Sequence, residues 1–260
     1  MNRWGEPVEV KMTSGDDIRR LLLVSNSTLH GGGYLDHAEK EIRDFVGKRT
    51  GVIFIPFAIH DRKAYADKAQ ARLREMGLAL ASVHDVSNML RAIAEAEVIF
   101  VGGGNTFRLL RGLYDQDLLD PIRRAVAAGT LFIGSSAGAI VAGPTLKTTK
   151  DMPVVQPPSF QALGLVPFQI SPHYLDPDPS STHMGETQEE RIMQFLEENE
   201  APVVGLREGS ILRVQGGAVI LKGPHSARIF RRGEKPFEAP PGSNLQTLLE
   251  GTAAPSGALA

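Results

Sequence analysis

Short apolar runs alternate with longer amphipathic segments through the first half of the chain. The runs are rich in leucine and β-branched residues, and they lie at 21–24, 52–55, 78–81, 98–101 and 131–133. The segments between them, near 36–47, 61–76, 87–95 and 105–128, have a composition and length typical of helices. Near-continuous apolar strands separated by helices predict an α/β fold with a mostly parallel sheet and helices on both faces. A functional site of such a sheet belongs at the carboxyl ends of its strands.

The pattern changes after residue 200. Short strand-like runs at 203–206, 211–214, 217–221 and 227–230 follow one another with only turn residues between them. This spacing predicts a C-terminal antiparallel β meander that is appended to the main sheet. From residue 238 the chain is rich in Ala, Pro and Gly, which predicts a disordered tail. The predicted organisation is an N-terminal extension at 1–18, one folded domain at 19–237, and this tail at 238–260.

Composition narrows the classes of function. With 42% hydrophobic and 22% charged residues the chain fits a globular protein, and its net charge of -2 gives no general attraction to nucleic acid or anionic membranes. There is no cysteine, which excludes disulfides, a thiol nucleophile and thiolate metal sites. The polar segment at 1–17 lacks the apolar centre of a signal peptide, and no stretch approaches the ~20 apolar residues of a membrane span. These features predict a cytoplasmic protein.

The most informative local pattern is Gly134-Ser135-Ser136-Ala137-Gly138, which has the form G-x-S-x-G. An apolar run leads into it and a segment of small residues follows, as expected of the strand, turn and helix of a nucleophile elbow. In such a turn the hydroxyl of Ser136 projects from the sheet edge. The N–H of Ala137 points at the same space and can stabilise an oxyanion. A Gly/Ser turn at a strand end, without a catalytic role, is the alternative.

A glycine-rich turn at 102–106, Gly-Gly-Gly-Asn-Thr, follows the strand before the elbow. The backbone of Gly103 and Gly104 can approach a ligand closely and offer N–H donors, and Asn105 can contact a ligand or cap the next helix. The turn is not a dinucleotide fingerprint, because Phe107 stands where G-x-G-x-x-G has its last glycine. It is either an oxyanion or phosphate-type site, or a plain strand-to-helix turn.

His173 follows the run at 168–172, which is a further candidate strand end. A histidine can take the proton of a serine and return it to a leaving amine. Glu208 follows the strand-like run at 203–206, where its carboxylate could hold the imidazole in the correct tautomer. Asp151, in an irregular stretch after the elbow helix, is a rival for that role. A structural histidine and an exposed turn glutamate are the alternatives.

Taken together, these motifs resemble peptidase E, the α-aspartyl dipeptidase family of serine peptidases. The resemblance runs from about residue 21 to residue 230, and besides the turns already named it includes the segments at 25–28, 55–58, 148–153, 171–173, 185–187 and 205–209. It implies a three-layer α/β sandwich similar to class I glutamine amidotransferases. It also implies Ser136 as the nucleophile, His173 as the base and Glu208 as the acidic third member. Asp151 is implied to be functional, and is sometimes given the charge-relay role.

One position departs from the resemblance. Family members specific for an N-terminal aspartate place an arginine after Gly-Glu-Thr, to pair with the substrate carboxylate, whereas this chain has Gln188. The next basic residue, Arg191, stands one helical turn further along. Glutamine can donate a hydrogen bond but carries no charge. We therefore expect relaxed or altered specificity, with Gln188 and Arg191 as candidate substrate-binding residues.

The sequence thus predicts a serine exopeptidase that hydrolyses the peptide bond after the N-terminal residue of dipeptides or short peptides. It predicts no cofactor and no metal, and a small peptide as the partner rather than nucleic acid or a membrane; a homo-oligomer stays open. Two alternatives remain. One is a cyanophycinase-like enzyme acting on β-aspartyl-arginine units, and the other is a non-catalytic small-molecule sensor on the same fold.

Overall fold

The computed structural model describes residues 18–182 and 184–250. Its strands are β1 (Arg20–Val24), β2 (Gly51–Ile55), β3 (Ala79–Ser82), β4 (Val98–Val101), β5 (Leu131–Ser135), β6 (Gln169–Pro172), β7 (Val203–Leu206), β8 (Ile211–Gln215), β9 (Ala218–Lys222), β10 (Ala227–Phe230) and β11 (Phe237–Ala239). The α-helices are α1 (Glu39–Val46), α2 (Arg62–Glu75), α3 (Met89–Ala94), α4 (Thr106–Asp115), α5 (Leu119–Ala127), α6 (Ala137–Ile140) and α7 (Gln188–Glu198). Two 3₁₀ helices span Asp36–Ala38 and Gln246–Leu248. None of the described helices combines the length and apolarity needed to cross a membrane.

The larger of two sheets has seven strands in the order β3-β2-β4-β5-β1-β8-β9. The first five are parallel to their neighbours, while β8 is antiparallel to β1 and β9 to β8. One apolar cluster joins this sheet to α1 and α2, and another joins it to α3, α4 and α5. The predicted α/β class, with a mostly parallel sheet between layers of helices, is confirmed.

Strand β1 shows why the apolar runs of this sheet are continuous. Leu21 and Leu23 pack into the cluster that contains α4 and α5, while Leu22 and Val24 pack into the cluster that contains α1 and α2. All four side chains are fully buried. Successive strand residues point to opposite faces, so both faces must be apolar when helices cover both. Each buried leucine contributes about 1.5–3 kcal/mol relative to an exposed one.

A second sheet has four strands in the order β11-β10-β7-β6. Strands β6 and β7 are parallel, and β10 is antiparallel to both β7 and β11. Ile170, Val204 and Ile229 of this sheet belong to the same apolar cluster as α4 and α5. Ile192 and Leu196 of α7 pack with further residues of this sheet in a separate small cluster. The second sheet therefore packs on the side of the main sheet that carries α4, α5 and α6.

The C-terminal strands are arranged differently from the single meander that the spacing suggested. Strands β8 and β9 extend the main sheet through β1, whereas β7 and β10 pair with each other in the second sheet. The local spacing of apolar runs predicts that strands exist, but it does not predict which sheet each strand joins. That depends on the pairing of β8 with β1 and of β7 with β6, which come earlier in the chain. The predicted helix at 105–128 is likewise divided into α4 and α5, because Asp117 adopts a left-handed conformation with φ of 50°.

Ordered structure continues past residue 237, where the disordered tail was expected to begin. Strand β11 pairs with β10, and Leu245 and Leu248 are buried. The chain therefore has buried apolar contacts up to the second 3₁₀ helix. The rest of the expected tail, 251–260, lies outside the described residues, as does 1–17 of the expected N-terminal extension.

Candidate active site

The G-x-S-x-G segment forms a sharp turn between β5 and α6. Ser136 lies between them with φ of 52° and ψ of -110°, a strained conformation for a residue with a side chain. The flanking glycines are required by close backbone packing: a Cβ on Gly134 would lie 2.4 Å from the carbonyl oxygen of Gly138. A Cβ on Gly138 would lie 2.1 Å from the carbonyl oxygen of Val101. The turn thus presents the Ser136 hydroxyl beyond the carboxyl end of the main sheet.

A continuous chain of hydrogen bonds starts at this hydroxyl. Ser136 Oγ lies 3.0 Å from His173 Nε2, and His173 Nδ1 lies 2.6 Å from Glu208 Oε1. His173 follows β6 and Glu208 follows β7, and these strands are parallel neighbours, so their carboxyl ends lie side by side. The serine therefore comes from the main sheet, and the imidazole and the carboxylate come from the second sheet. This geometry can take a proton from the serine and stabilise the imidazolium that forms.

Two buried polar residues after β1 join the two sheets at this site. Ser25 Oγ donates a hydrogen bond to the carbonyl of Leu206 at 2.7 Å and accepts one from the amide of His173 at 3.0 Å. Asn26 Oδ1 accepts a hydrogen bond from the amide of Gly209 at 2.8 Å. Sequence reasoning gave these two residues no role. The available signal was a pair of small polar residues directly after a fully apolar strand.

Arg207 links the loops that follow β6 and β7. Its Nε and Nη2 donate to the two carboxylate oxygens of Asp176 at 2.9 and 2.5 Å, and its Nη1 and Nη2 donate to Glu238 at 2.9 and 3.0 Å. Nη1 also donates to the carbonyl of Ser226 at 2.7 Å, and the guanidinium lies over the ring of Tyr174, 5.4 Å from its centre. The hydrogen bonds from Arg207 lower the pKa values of Asp176 and Glu238. Sequence reasoning missed this network because it placed Glu238 in a tail.

Asp151 binds the start of α4 rather than the imidazole. Its Oδ2 accepts hydrogen bonds from the amide and hydroxyl of Thr106 at 2.7 and 2.6 Å, and from the hydroxyl of Thr149 at 3.1 Å. A carboxylate at a helix N-terminus is stabilised by the unsatisfied amides and by the helix dipole. Glu208 is the carboxylate that contacts His173 in the structure.

A cavity of about 630 Å³ opens in front of the serine. Ser136, His173, Asp151, Gly103 and Gly104 form one part of its wall. The rest is formed by residues of the loop after β1, the loop after β2 and the first turns of α2, namely Ser27, Tyr34, Ile59, Asp61, Ala64, Tyr65 and Lys68. This volume is in the range of small-molecule sites and can hold a dipeptide.

Two backbone segments lie close to the nucleophile, at Ala137 and at Gly103. The amide of Ala137 begins α6 and belongs to the first turn, whose N–H groups have no carbonyl partner within the helix. Gly103 lies directly against the serine, since a Cβ there would be 3.1 Å from Ser136 Cβ. A negatively charged oxygen formed next to Ser136 would therefore lie near both backbone segments.

The side chain of Asn105 is occupied elsewhere. Its Oδ1 accepts a hydrogen bond from the amide of Arg108 at 3.0 Å, and its Nδ2 donates to the carbonyl of Met152 at 2.8 Å. Asn105 is therefore the N-cap of α4 and holds the loop after Asp151. Among the described residues that line the cavity, Gly103 and Gly104 are present but Asn105 is not. Of the two roles expected for Asn105, the structure shows the helix cap.

Gln188 and Arg191 do not reach the cavity wall that the described residues form. Gln188 Oε1 accepts a hydrogen bond from the amide of Leu175 at 2.9 Å, and its Nε2 donates to the hydroxyl of Ser171 at 2.9 Å. Arg191 pairs with Glu186 at 3.6 Å, and its side chain is 56% exposed. Both residues of α7 therefore face partners other than the space in front of Ser136.

Lys150 is a residue of the site that sequence reasoning did not single out. Its Nζ donates a hydrogen bond to the carbonyl of His173 at 2.9 Å. Desolvation lowers the pKa of Lys150, and the carboxylates of Asp151 and Glu208 oppose this shift. Its ammonium thus supports the loop that carries the imidazole.

Among the described residues no group of three or more His, Asp or Glu side chains could hold a metal ion.

The site combines a serine on a strained turn at the end of an α/β sheet with a histidine that is hydrogen-bonded to both the serine and a glutamate. This combination defines a serine hydrolase. The comparison with protein-family models is more specific, since the model of "Peptidase family S51" matches residues 21–222. That match covers well over half of the chain, so the chain belongs to peptidase family S51 and is a serine peptidase.

Curated relatives agree with this assignment. A protein named Peptidase E from Streptomyces coelicolor is 51% identical over 230 residues, which cover 88% of this chain and 95% of that protein. A probable alpha-aspartyl dipeptidase from Drosophila melanogaster is 46% identical over 235 residues, covering 89% of this chain and 98% of that protein.

A solved structure supports the fold. The peptidase from an acI-B1 Actinobacterium has a TM-score of 0.65 at 15% identity and covers 89% of this chain and 98% of its own. At that identity the likeness concerns the fold alone.

Proposed function

We propose that this protein is a serine dipeptidase that releases the N-terminal residue of dipeptides. The observation that carries the proposal is the hydrogen-bonded chain from Ser136 Oγ through His173 to Glu208, at 3.0 and 2.6 Å. The relatives named peptidase E and probable alpha-aspartyl dipeptidase support the substrate class, since they are about half identical and match along most of their length.

In the proposed reaction Ser136 Oγ attacks the carbonyl carbon of the peptide bond while His173 Nε2 takes its proton. The protonated imidazole then gives that proton to the leaving amine, and an acyl-enzyme remains on Ser136. Water, activated by the same imidazole, hydrolyses the ester. Glu208 holds His173 with Nδ1 protonated and stabilises the imidazolium, because its carboxylate is 2.6 Å from that nitrogen.

The negative oxygen of each tetrahedral intermediate is proposed to bind the amides of Ala137 and of the glycine turn. The close packing of Gly103 against the serine supports this assignment. Asp151 is proposed to bind the α-ammonium of the substrate. Its Oδ2 accepts three hydrogen bonds, which hold the carboxylate in place, and the residue lines the cavity. An anion there would favour substrates with a free N-terminus, as an exopeptidase requires.

We also propose a relaxed preference for the N-terminal residue. A buried aspartate side chain needs a cationic or well-bonded partner, because an unpaired buried carboxylate is costly. Gln188 is uncharged and bonded to Ser171 and Leu175, and Arg191 pairs with Glu186. Neither residue is among the described residues that line the cavity in front of Ser136.

The experiment is a comparison of kcat/KM for Asp-Leu, Ala-Leu and Gly-Leu, with β-aspartyl-arginine as a fourth substrate, in the wild-type protein and in Gln188→Arg. We expect hydrolysis of all three α-dipeptides, with Asp-Leu within about 10-fold of Ala-Leu, and a larger Asp-Leu preference in Gln188→Arg. A wild-type preference for Asp-Leu above about 100-fold would contradict relaxed specificity but not the dipeptidase activity. Preferential cleavage of β-aspartyl-arginine would favour the cyanophycinase-like alternative. Binding without hydrolysis of any substrate would favour a sensor.

A further inference from the structure

One face of α2 forms part of the wall of the cavity that Ser136 also lines. Asp61, Ala64, Tyr65 and Lys68 are all cavity-lining residues, and their spacing of three, four and seven positions places them along one side of a helix. Asp61 is the N-cap of this helix, because its side chain accepts a hydrogen bond from the amide of Ala64. The face is thus fixed at its start by the cap and presents its second turn to the substrate space.

Lys68 is the cation of this wall, and no carboxylate pairs with it among the described residues that line the cavity. Its Nζ lies 5.0 Å from the centre of the Tyr34 ring, over the face of the ring. Tyr34 is held in place, since its hydroxyl is hydrogen-bonded to that of Tyr65 at 3.4 Å and its side chain is buried. A cation–π contact of this kind positions an ammonium without neutralising it.

The other lysine of α2 shows the contrast. Lys63 Nζ is paired with Asp67 at 2.8 Å, one helical turn away on the outer surface, and this pairing raises the pKa of Lys63. Lys63 does not line the cavity among the described residues, whereas Lys68 does. The two lysines are the same residue type on the same helix, but they differ in their partners and in their position relative to the cavity. Lys63 is therefore a matched control for Lys68.

Two further cations among the described residues, Lys150 and Arg191, have partners of their own. Lys150 Nζ is bonded to the carbonyl of His173, and Arg191 pairs with Glu186. A dipeptide is a zwitterion and brings at least one carboxylate into the cavity. The wall facing that carboxylate carries Asp61, Asp151 and Lys68, so Lys68 is the one group of the three that can attract it.

We infer that Lys68 is a specificity-determining residue whose ammonium binds a carboxylate of the substrate. This inference rests on the proposed dipeptidase function, and it deepens that function by naming the group that recognises the anionic part of the substrate. The carboxylate has two sources: the free C-terminus, which every dipeptide carries, and the side chain of an N-terminal aspartate. Relaxed specificity favours the C-terminus, since that group is common to all the substrates.

The test measures binding, so that it does not depend on turnover. Isothermal titration calorimetry would compare four non-hydrolysable analogues, in which a methylene group replaces the carbonyl of the peptide bond. Three are the analogues of Ala-Leu, Asp-Leu and Asn-Leu with a free C-terminus, and the fourth is the Ala-Leu analogue with a C-terminal amide. For the wild-type protein we expect the free acid to bind about 10-fold more tightly than the amide. In Lys68→Met this difference should disappear, while Lys68→Arg should retain most of it. Lys63→Met should bind all four analogues as the wild type does.

The arms separate the two sources of the carboxylate. Loss of the acid-over-amide difference in Lys68→Met supports recognition of the C-terminus, and loss of the Asp-over-Asn difference supports recognition of the side chain. Equal effects of Lys68→Met on all four analogues, or no effect on any, would overturn the inference. So would loss of either difference in Lys150→Met with retention in Lys68→Met.

Kinetics with the corresponding peptides test the proposed function separately. If the wild-type protein binds the analogues but hydrolyses none of the peptides, the dipeptidase proposal fails while the assignment of Lys68 is still decided by the calorimetry. Thermal unfolding of each variant verifies that the exposed substitutions leave the fold intact.

Discussion

Arg207 and Asp176 form a bidentate pair, with the guanidinium Nε and Nη2 donating to the two carboxylate oxygens at 2.9 and 2.5 Å. Asp176 lies three residues after His173, and Arg207 directly precedes Glu208. The pair therefore joins the two loops that carry the imidazole and its carboxylate. Because a two-point contact fixes orientation as well as distance, it constrains the 2.6 Å hydrogen bond between His173 and Glu208.

Replacing Arg207 should reduce turnover more than substrate binding. In Arg207→Met both loops lose their shared anchor, and we expect kcat to fall about 10-fold to 100-fold with KM changed less than about threefold. Proton NMR of the His173 Nδ1–H would report the same change, since a short bond to a carboxylate gives a strongly downfield signal. The control is Arg232→Met, which removes a surface pairing with Glu200. Unchanged kcat together with an unchanged signal would show that the pair does not position the triad.

The contribution of Arg207 to stability should depend on pH. Its hydrogen bonds lower the pKa values of Asp176 and Glu238 in the folded protein. A lowered carboxyl pKa contributes stability that is present above about pH 5 and is lost as the pH falls through the folded-state pKa. The difference in free energy of unfolding between wild type and Arg207→Met should therefore be larger at about pH 7 than at about pH 3. Urea unfolding at both values measures it, and equal differences would contradict the assigned cause.

The two adjacent serines of the elbow should respond oppositely to alanine. Ser136→Ala removes the hydroxyl that His173 contacts, and we expect a loss of about 10⁴–10⁶ in kcat. Ser135 is fully buried, and its hydroxyl has no hydrogen-bond partner among the described residues. Ser135→Ala should therefore retain most of the activity. Turnover of Ala-Leu by both variants checks this, and comparable activity in Ser136→Ala would refute the nucleophile.

The two carboxylates of the site should separate in their kinetic effects. Glu208→Gln keeps the shape of the side chain but removes the charge that stabilises the imidazolium, so kcat should fall about 10²–10⁴-fold. Asp151→Asn removes the charge at the start of α4 and in the cavity, so KM should rise and the free energy of unfolding should fall by about 1 kcal/mol. Steady-state kinetics and urea unfolding distinguish the two. A larger kcat effect in Asp151→Asn than in Glu208→Gln would exchange the proposed roles.

The sequence by itself determined the class of fold and pointed to the candidate positions for chemistry. Apolar runs that are buried on both faces, as in β1, follow from the two-residue period of a strand and from helices on each side. The Ser136 elbow is similarly local, because the glycines around it are required by backbone contacts within one strand–turn–helix unit and its neighbouring strand. The strand ends that precede Gly103, His173 and Glu208 could likewise be predicted from the local apolar runs.

Only the tertiary structure decided which of these groups meet. The bond between Glu208 and His173, the bond from the Thr106 amide to Asp151 and the division of the C-terminal strands between two sheets depend on contacts across many intervening residues. The surroundings of Gln188 and Lys68 depend on how α7 and α2 are rotated on their sheets. Local patterns report burial and backbone period, whereas the partner of a polar side chain is fixed by long-range packing, which no short segment specifies.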